Sequence, residues 1–289
     1  MGDAADPAPD VRNDPVLTVE GVSLRFGGLA ALTDVSFSVH DGEVVGIVGA
    51  NGAGKTSLIN CISGTYKPSS GSIRMGRVGV SAIHRWDRAR VGISRTFQHP
   101  SMIPGLSVMD NVLLGAHCRM KTMPIGTILR SRRFRLLRTD WERIAIAQLD
   151  KLGLAGQANR VIDELPYGDR KLVDLARAMI ADPSLLLLDE PTSGLTNKER
   201  GAVRHALEDL RGTRTTSIVI IEHDMPFLTA IAPRLVVLEL GKVIADGPTA
   251  ATMGDTRVRT SFLGAIKGGQ GGSGSASSGT HAEGRALCM

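Results

Sequence analysis

Apolar residues gather along this chain in short clusters of two kinds. In the first, nearly every position is apolar and the run stops after four or five residues, as in Val44–Val48, Leu185–Leu188 and Ser217–Ile221. Runs this short, bounded by glycine or polar residues, suit strands of a parallel sheet covered on both faces. In the second, apolar and polar residues alternate. Leu32–Val39 alternates as a half-buried strand does, and Val16–Phe26 reads as a strand running into a Gly27-Gly28 turn. Between the strands the spacing becomes helical. Leu172, Leu175, Ala176, Met179 and Ile180 fall at i, i+3, i+4, i+7 and i+8 on one helix face. That helix ends by Asp182-Pro183, because proline cannot continue it. Strands alternating with helices predict an α/β sheet domain.

The first buried run leads directly into Gly49-Ala50-Asn51-Gly52-Ala53-Gly54-Lys55-Thr56, which fits G-x-x-x-x-G-K-[ST] at every fixed position. A helical run with Leu58, Ile59 and Ile62 on one face follows. Strand, loop and helix together make a phosphate cradle. Glycines let backbone N–H groups converge on an anion, and the helix directs its positive end at the same point. Lys55 is positioned to reach the β- and γ-phosphates of a nucleotide, and the Thr56 hydroxyl to ligate Mg²⁺.

The second buried run ends in Asp189-Glu190. Ligands of open α/β sheets bind beyond the carboxyl ends of the strands. Asp189 is therefore a candidate to hold Mg²⁺ through its water shell, and Glu190 to polarise the water that attacks a γ-phosphate. Asp-Glu alone is a common way for a strand to end; the phosphate loop gives the pair its meaning. The third run ends in Glu222-His223-Asp224, which makes His223 a candidate γ-phosphate contact.

Composition narrows the classes of partner. The 289 residues are 42% hydrophobic, 22% charged and only 3% aromatic, too few rings for a base-stacking nucleic-acid surface. The net charge of +5 is local. Residues 119–143 hold eight bases against two acids, which leaves the rest of the chain at −1. Within that stretch Phe134, Leu137, Trp141 and Ile144 recur at helical spacing, so a core-facing stripe with solvent-facing arginines is expected. Arginines facing anionic lipid or a membrane subunit are the alternative. Three distant cysteines suggest a reducing cytosol. No stretch approaches the ~18 apolar residues of a membrane span, so any membrane role runs through a partner. Residues 1–14 read as a disordered arm and residues 266–289 as a disordered Gly/Ser-rich tail, flanking one domain over 15–265.

Taken together, these motifs resemble the nucleotide-binding subunit of an ABC (ATP-binding cassette) transporter over about residues 15–265. The resemblance implies a P-loop NTPase cassette with a RecA-like core, an antiparallel β subdomain and a helical signature subdomain over about 100–182. It makes residues 49–56 the Walker A motif, with Gly49, Asn51, Gly52, Ala53, Gly54, Lys55, Thr56 and Ser57 on the nucleotide. Asp189 then closes Walker B, Glu190 is the catalytic glutamate and His223 the switch histidine. Gln98, in Arg95-Thr96-Phe97-Gln98-His99, becomes the glutamine loop that senses Mg²⁺ and the membrane subunit. Phe26 stands where the family stacks an aromatic ring on adenine. The signature LSGGQ aligns with Leu165, Pro166, Tyr167, Gly168 and Asp169. Here Pro166 removes a hydroxyl, Asp169 adds a negative charge, and Thr196 replaces the Asp that usually crosses the dimer, which puts the hydrolysis rate rather than binding in question. "LPYG", "RTFQH", "EPTSGL" and "EHDM" together are similar to the branched-chain amino acid importer group, whose pattern urea and amide importers share.

That resemblance implies an ATPase using ATP and Mg²⁺ in a head-to-tail dimer with a second cassette, identical or paralogous. Its partners would be two transmembrane permease subunits and, indirectly, an extracytoplasmic solute-binding protein, with no nucleic acid. The expected location is the cytoplasmic face of the membrane. Residues 98–117, with Met102, Ile103, Leu106, Val108 and Met109, form the expected permease docking surface, about half of those side chains being core. A soluble ABC ATPase acting on nucleic acid or ribosomes is the rival from another class; a GTPase or small-molecule kinase is a third. The sequence has one cassette, no sustained heptads and no guanine-reading Asn-Lys-x-Asp.

Overall fold

The continuous apolar runs are continuous because both faces of their sheet are buried. A computed structural model describes residues 15–119, 132–213 and 215–260. In it, Val44–Val48 (β3), Leu185–Asp189 (β7) and Ser217–Ile221 (β8) are buried at every position. Alternate residues of each strand join opposite cores. Val44, Leu186, Leu188, Ile218 and Ile220 pack with the helices. Val45, Ile47, Leu185, Leu187, Val219 and Ile221 pack beneath the other sheet. The period-2 side-chain alternation that gives a one-sided sheet a polar face here gives two apolar ones.

The sheet has six strands in the order β10-β9-β3-β8-β7-β6, where Ile93–Arg95 is β6, Arg234–Glu239 is β9 and Lys242–Pro248 is β10. β3, β6, β7, β8 and β9 pair in parallel, and β10 closes the edge antiparallel to β9. A second, four-stranded sheet is antiparallel, in the order β2-β1-β4-β5. It holds Leu17–Phe26 (β1), Leu29–Val39 (β2), Ser70–Met75 (β4) and Val78–Gly79 (β5). The Gly27-Gly28 turn is where the sequence placed it, with Phe26 paired to Leu29.

Helix α1 (Lys55–Ile62) follows β3 and buries Leu58, Ile59 and Ile62. A helical layer lies on the other core: Val108–Leu113 (α2), Arg132–Lys151 (α3) and Tyr167–Met179 (α4). Asn197–Thr213 (α5) and Met225–Ile231 (α6) complete it around the sheet. In α4 the five residues read at helical spacing are all buried, and Ile180 caps the helix before Pro183. The stripe in α3 needs a correction. Trp141 packs half-buried against the core, but Ile144 is 41% exposed. The buried face continues through Ala145 and Leu149 instead, one residue on.

The expected arm (1–14) and tail (266–289) lie outside the described residues, as do residues 120–131 and the side chains of 131–138, which include Phe134 and Leu137. Among the described residues no helix is long and apolar enough to cross a membrane.

α2 and α4 pack unusually close at the turn that follows α2. At Gly115 a Cβ would run into the Arg177 carbonyl oxygen of α4. Backbone cannot yield as a side-chain tip can, so Gly115→Ala should destabilise by about 1–3 kcal/mol. Urea unfolding with an unchanged m-value would report it.

Candidate functional site

Strand order brings the chemistry-bearing residues to one edge. β3, β8, β7 and β6 are consecutive neighbours, and their carboxyl ends lead into the 49–56 loop, Glu222-His223, Asp189-Glu190 and Gln98 respectively.

The loop between β3 and α1 is tight at its start. Gly49 has φ 153°, and a Cβ there would strike the Leu238 carbonyl oxygen of β9. Lys55 is buried, and its Nζ donates to the Gly49 carbonyl at 2.8 Å and the Ala50 carbonyl at 2.9 Å. Burial lowers its pKa, and the nearby carboxylates of Glu190 and Asp189 oppose that shift. Asn51, Gly52 and Thr56 are exposed, Gly54 and Ser57 are half-buried, and Ala53 is buried.

Asp189 is buried, which raises its pKa; the main opposing influence is Arg95. The guanidinium of Arg95 meets Asp189 Oδ2 at 3.2 Å, Asn60 Oδ1 at 2.6 Å and Ser63 Oγ at 2.9 Å, and lies 5.1 Å from the centre of the Phe97 ring. Arg95 thus ties the far turn of α1 to the end of β7. Sequence reading quoted it only as the first residue of a motif.

Glu190 adopts φ 51°, uncommon for a residue with a Cβ. Its N–H donates to the Ile221 carbonyl at 2.9 Å, and its Oε1 lies 3.0 Å from His223 Nε2. Two candidates named independently from sequence are therefore in contact. The next turn is fastened by a residue that was not singled out. Buried Glu222 accepts from the Thr192 N–H and hydroxyl at 2.7 and 2.6 Å through Oε1, and from the His223 N–H at 3.1 Å through Oε2.

α4 begins at the sequence Leu165-Pro166-Tyr167-Gly168-Asp169, with Pro166 as N-cap and no side-chain cap. Leu165 and Gly168 are buried. Tyr167 lays its ring near Gly194, and its hydroxyl donates to the Gln98 carbonyl at 3.3 Å. Asp169 accepts from the Gln157 side chain at 3.2 Å. The carboxylate of Glu199 sits against Gly168 and also accepts from the Thr196 N–H and hydroxyl. An acid of the same chain therefore stands beside the positive end of α4. Gln98 itself is exposed.

Phe26 is 46% exposed at the hairpin tip and meets Tyr66 edge-on, with ring centres 5.2 Å apart at 78°. Tyr66 was absent from the sequence reading; it follows α1 with no periodic signal. In the 98–117 segment Val108 is core, Met102 and Met109 are half-buried against it, Leu106 is half-buried, and Ile103 is 46% exposed.

A glycine-rich loop between a parallel strand and a helix, flanked by strands ending in carboxylates, defines a phosphate-loop nucleotide-binding protein. Comparison with known proteins narrows the class. The profile described as ABC transporter matches residues 32–193. The chain is 35% identical over 252 residues to the high-affinity branched-chain amino acid transport ATP-binding protein LivG of Salmonella typhimurium, covering 87% of this chain and 99% of that one. It is 32% identical to BraF of Pseudomonas aeruginosa, which has the same description, over 86% and 98% of the two chains. Among solved structures it is similar to the ADP conformation of MJ1267, an ATP-binding cassette of an ABC transporter, with TM-score 0.70, 26% identity and coverage of 86% and 99%. The chain belongs to the ABC transporter family, as an ATP-hydrolysing, nucleotide-binding subunit.

Proposed function

We propose that this chain powers import of branched-chain amino acids, as one of two cassettes docked at the cytoplasmic face of the membrane on two permease subunits. The observation that carries the reading is the match to LivG over 99% of that protein's length. The sequence blocks around Gln98, Tyr167, Glu190 and His223 support it.

ATP would stack its adenine on Phe26, with Tyr66 backing that ring. Its phosphates would lie along the N–H groups of the loop from Gly49 to Ser57. Lys55 Nζ, now on two loop carbonyls, would exchange them for β- and γ-phosphate oxygens, a stronger partnership because the acceptors are charged. The Thr56 hydroxyl, the Gln98 amide and the Asp189 carboxylate offer oxygen donors only, which suits Mg²⁺. Bound there, Mg²⁺ would supply positive charge against the β- and γ-phosphates. Glu190 would take the proton of the attacking water, and His223, 3.0 Å away, would orient that carboxylate and the γ-phosphate. The N-terminal end of α4, at Leu165, Tyr167, Gly168 and Asp169, would close over ATP held by the second cassette. For that, the contact of Glu199 with Gly168 must open, since a carboxylate and a γ-phosphate cannot share one helix end. ATP couples to transport only to the extent that it binds the closed pair more tightly than the open one.

Affinity purification from detergent-solubilised membranes tests this reading. Recovery with two hydrophobic membrane proteins supports it; recovery with ribosomes or DNA overturns it. Loss of branched-chain amino acid uptake on deletion tests the solute, and unchanged uptake of these with loss of urea or amide uptake would reassign it.

A further inference from the structure

One buried cation of α4 serves none of the roles above. Lys171 is 5% exposed, and its Nζ donates to the Glu190 carbonyl at 2.6 Å and the Ser193 carbonyl at 2.8 Å. An ammonium is a compact charge with three donors, able to gather carbonyls from separate peptides. Here it gathers both ends of the turn that leaves β7.

Glu190 needs such a hold. A left-handed conformation is costly for a residue with a Cβ and persists where the surroundings over-determine it. Four hydrogen bonds fix Glu190: its N–H on Ile221, its carboxylate on His223, and its carbonyl on Lys171 at 2.6 Å and on the Ser193 N–H of its own turn at 3.3 Å. Two of these come from β8 or the residues just after it, in the same sheet. Of the four, only the bond from Lys171 reaches in from the helical layer, and it is the shorter of the two on the carbonyl.

The same helix also grips the Gln98 segment. Asp174, buried, accepts from the Phe97 N–H at 3.2 Å and pairs with Arg177. Arg177 donates to the Ser101 carbonyl at 2.7 Å, and the Tyr167 hydroxyl to the Gln98 carbonyl at 3.3 Å. A shift of α4 therefore pulls on residues 97–101 and on the Glu190 turn together.

We propose that Lys171 is a positioning residue that holds the Glu190 peptide so that its carboxylate meets His223, and that links movement of α4 to that carboxylate. The proposal rests on Glu190 being the group that activates water.

The test compares the full-length Lys171→Met, Lys171→Arg and Glu190→Gln variants with wild type. Steady-state phosphate release gives kcat and KM for ATP, and a fluorescent ADP analogue gives nucleotide affinity. Lys171→Met should lower kcat about tenfold with KM and analogue affinity unchanged. Lys171→Arg, whose guanidinium can still bridge two carbonyls, should recover most of the loss. If the Met variant does not fold, Lys171→Gln carries the same expectation. A kcat within twofold of wild type overturns the proposal. So does a kcat loss matched by an equal loss of nucleotide affinity, or one that Arg does not relieve, because either marks a structural role. An inactive Glu190→Gln beside a fully active Lys171→Met removes only the role of Lys171. A fully active Glu190→Gln removes the reading beneath it.

Discussion

Glu190→Gln should reduce ATP turnover by about 10²–10⁴-fold and leave ATP bound. The substitution isolates chemistry from structure. Gln has the shape of Glu, and the Glu190 main chain keeps its bonds to Ile221 and Lys171. The side chain can still meet His223, because an amide offers either a donor or an acceptor to whichever imidazole tautomer is present. Only proton acceptance disappears. ATP affinity should hold, since the phosphates are met by the Gly49–Ser57 loop and not by this carboxylate. A cassette that binds but cannot hydrolyse should accumulate as a nucleotide-sandwiched dimer. Size-exclusion chromatography with ATP would show it, and phosphate release would give the rate. Turnover within tenfold of wild type would remove Glu190 from its assigned role.

How much of this site was open to sequence reading depended on where each residue's partners lie. The phosphate loop was legible because its spacing encodes its own geometry: Gly49 must admit the Leu238 carbonyl, and Lys55 must begin a helix. Asp189, Glu190 and His223 were legible because each ends or closely follows a fully buried strand, and strand ends are visible as the point where an apolar run stops. Their mutual contact was not legible. It follows from β7 lying beside β8, a pairing between segments more than thirty residues apart. Arg95 and Lys171 carried no signal at all. Each is a charge buried by elements distant in sequence, and in one dimension a buried cation looks like a solvated one.

The same limit applies to the fold. β4 and β6 escaped notice because Ser70–Met75 is polar at its start and Ile93–Arg95 has three residues. Leu235–Leu238 of β9, by contrast, is as continuous an apolar run as β7, and that signal was available. The one-residue rotation of the α3 stripe has a different cause. Leu149 and Ala145 set the buried face, and small Ala145 contributes little to a pattern judged by large side chains.

Lys55→Ala should weaken ATP binding by about two to four powers of ten. Two charge-assisted hydrogen bonds to phosphate are lost, each worth about 1.5–3 kcal/mol, and each 1.4 kcal/mol is tenfold in Kd. The loss should fall on affinity and not be limited to kcat, because Lys55 meets charge already present in the ground state. The direction of its pKa adds a second signature. Burial lowers the Lys55 pKa below 10.5, since the loop carbonyls and the carboxylates of Glu190 and Asp189 do not fully replace water. A bound triphosphate favours the charged form and raises that pKa again. Binding is then linked to proton uptake, so wild-type affinity should fall as pH rises through the lowered pKa of the free protein, beginning below 10.5. In Lys55→Ala that part of the alkaline decline should vanish along with the tight binding. Titration of a fluorescent ATP analogue across pH 7–10 in both proteins measures the two effects at once. Equal affinities at pH 7, or parallel pH profiles, would count against Lys55 as the residue that meets the phosphates.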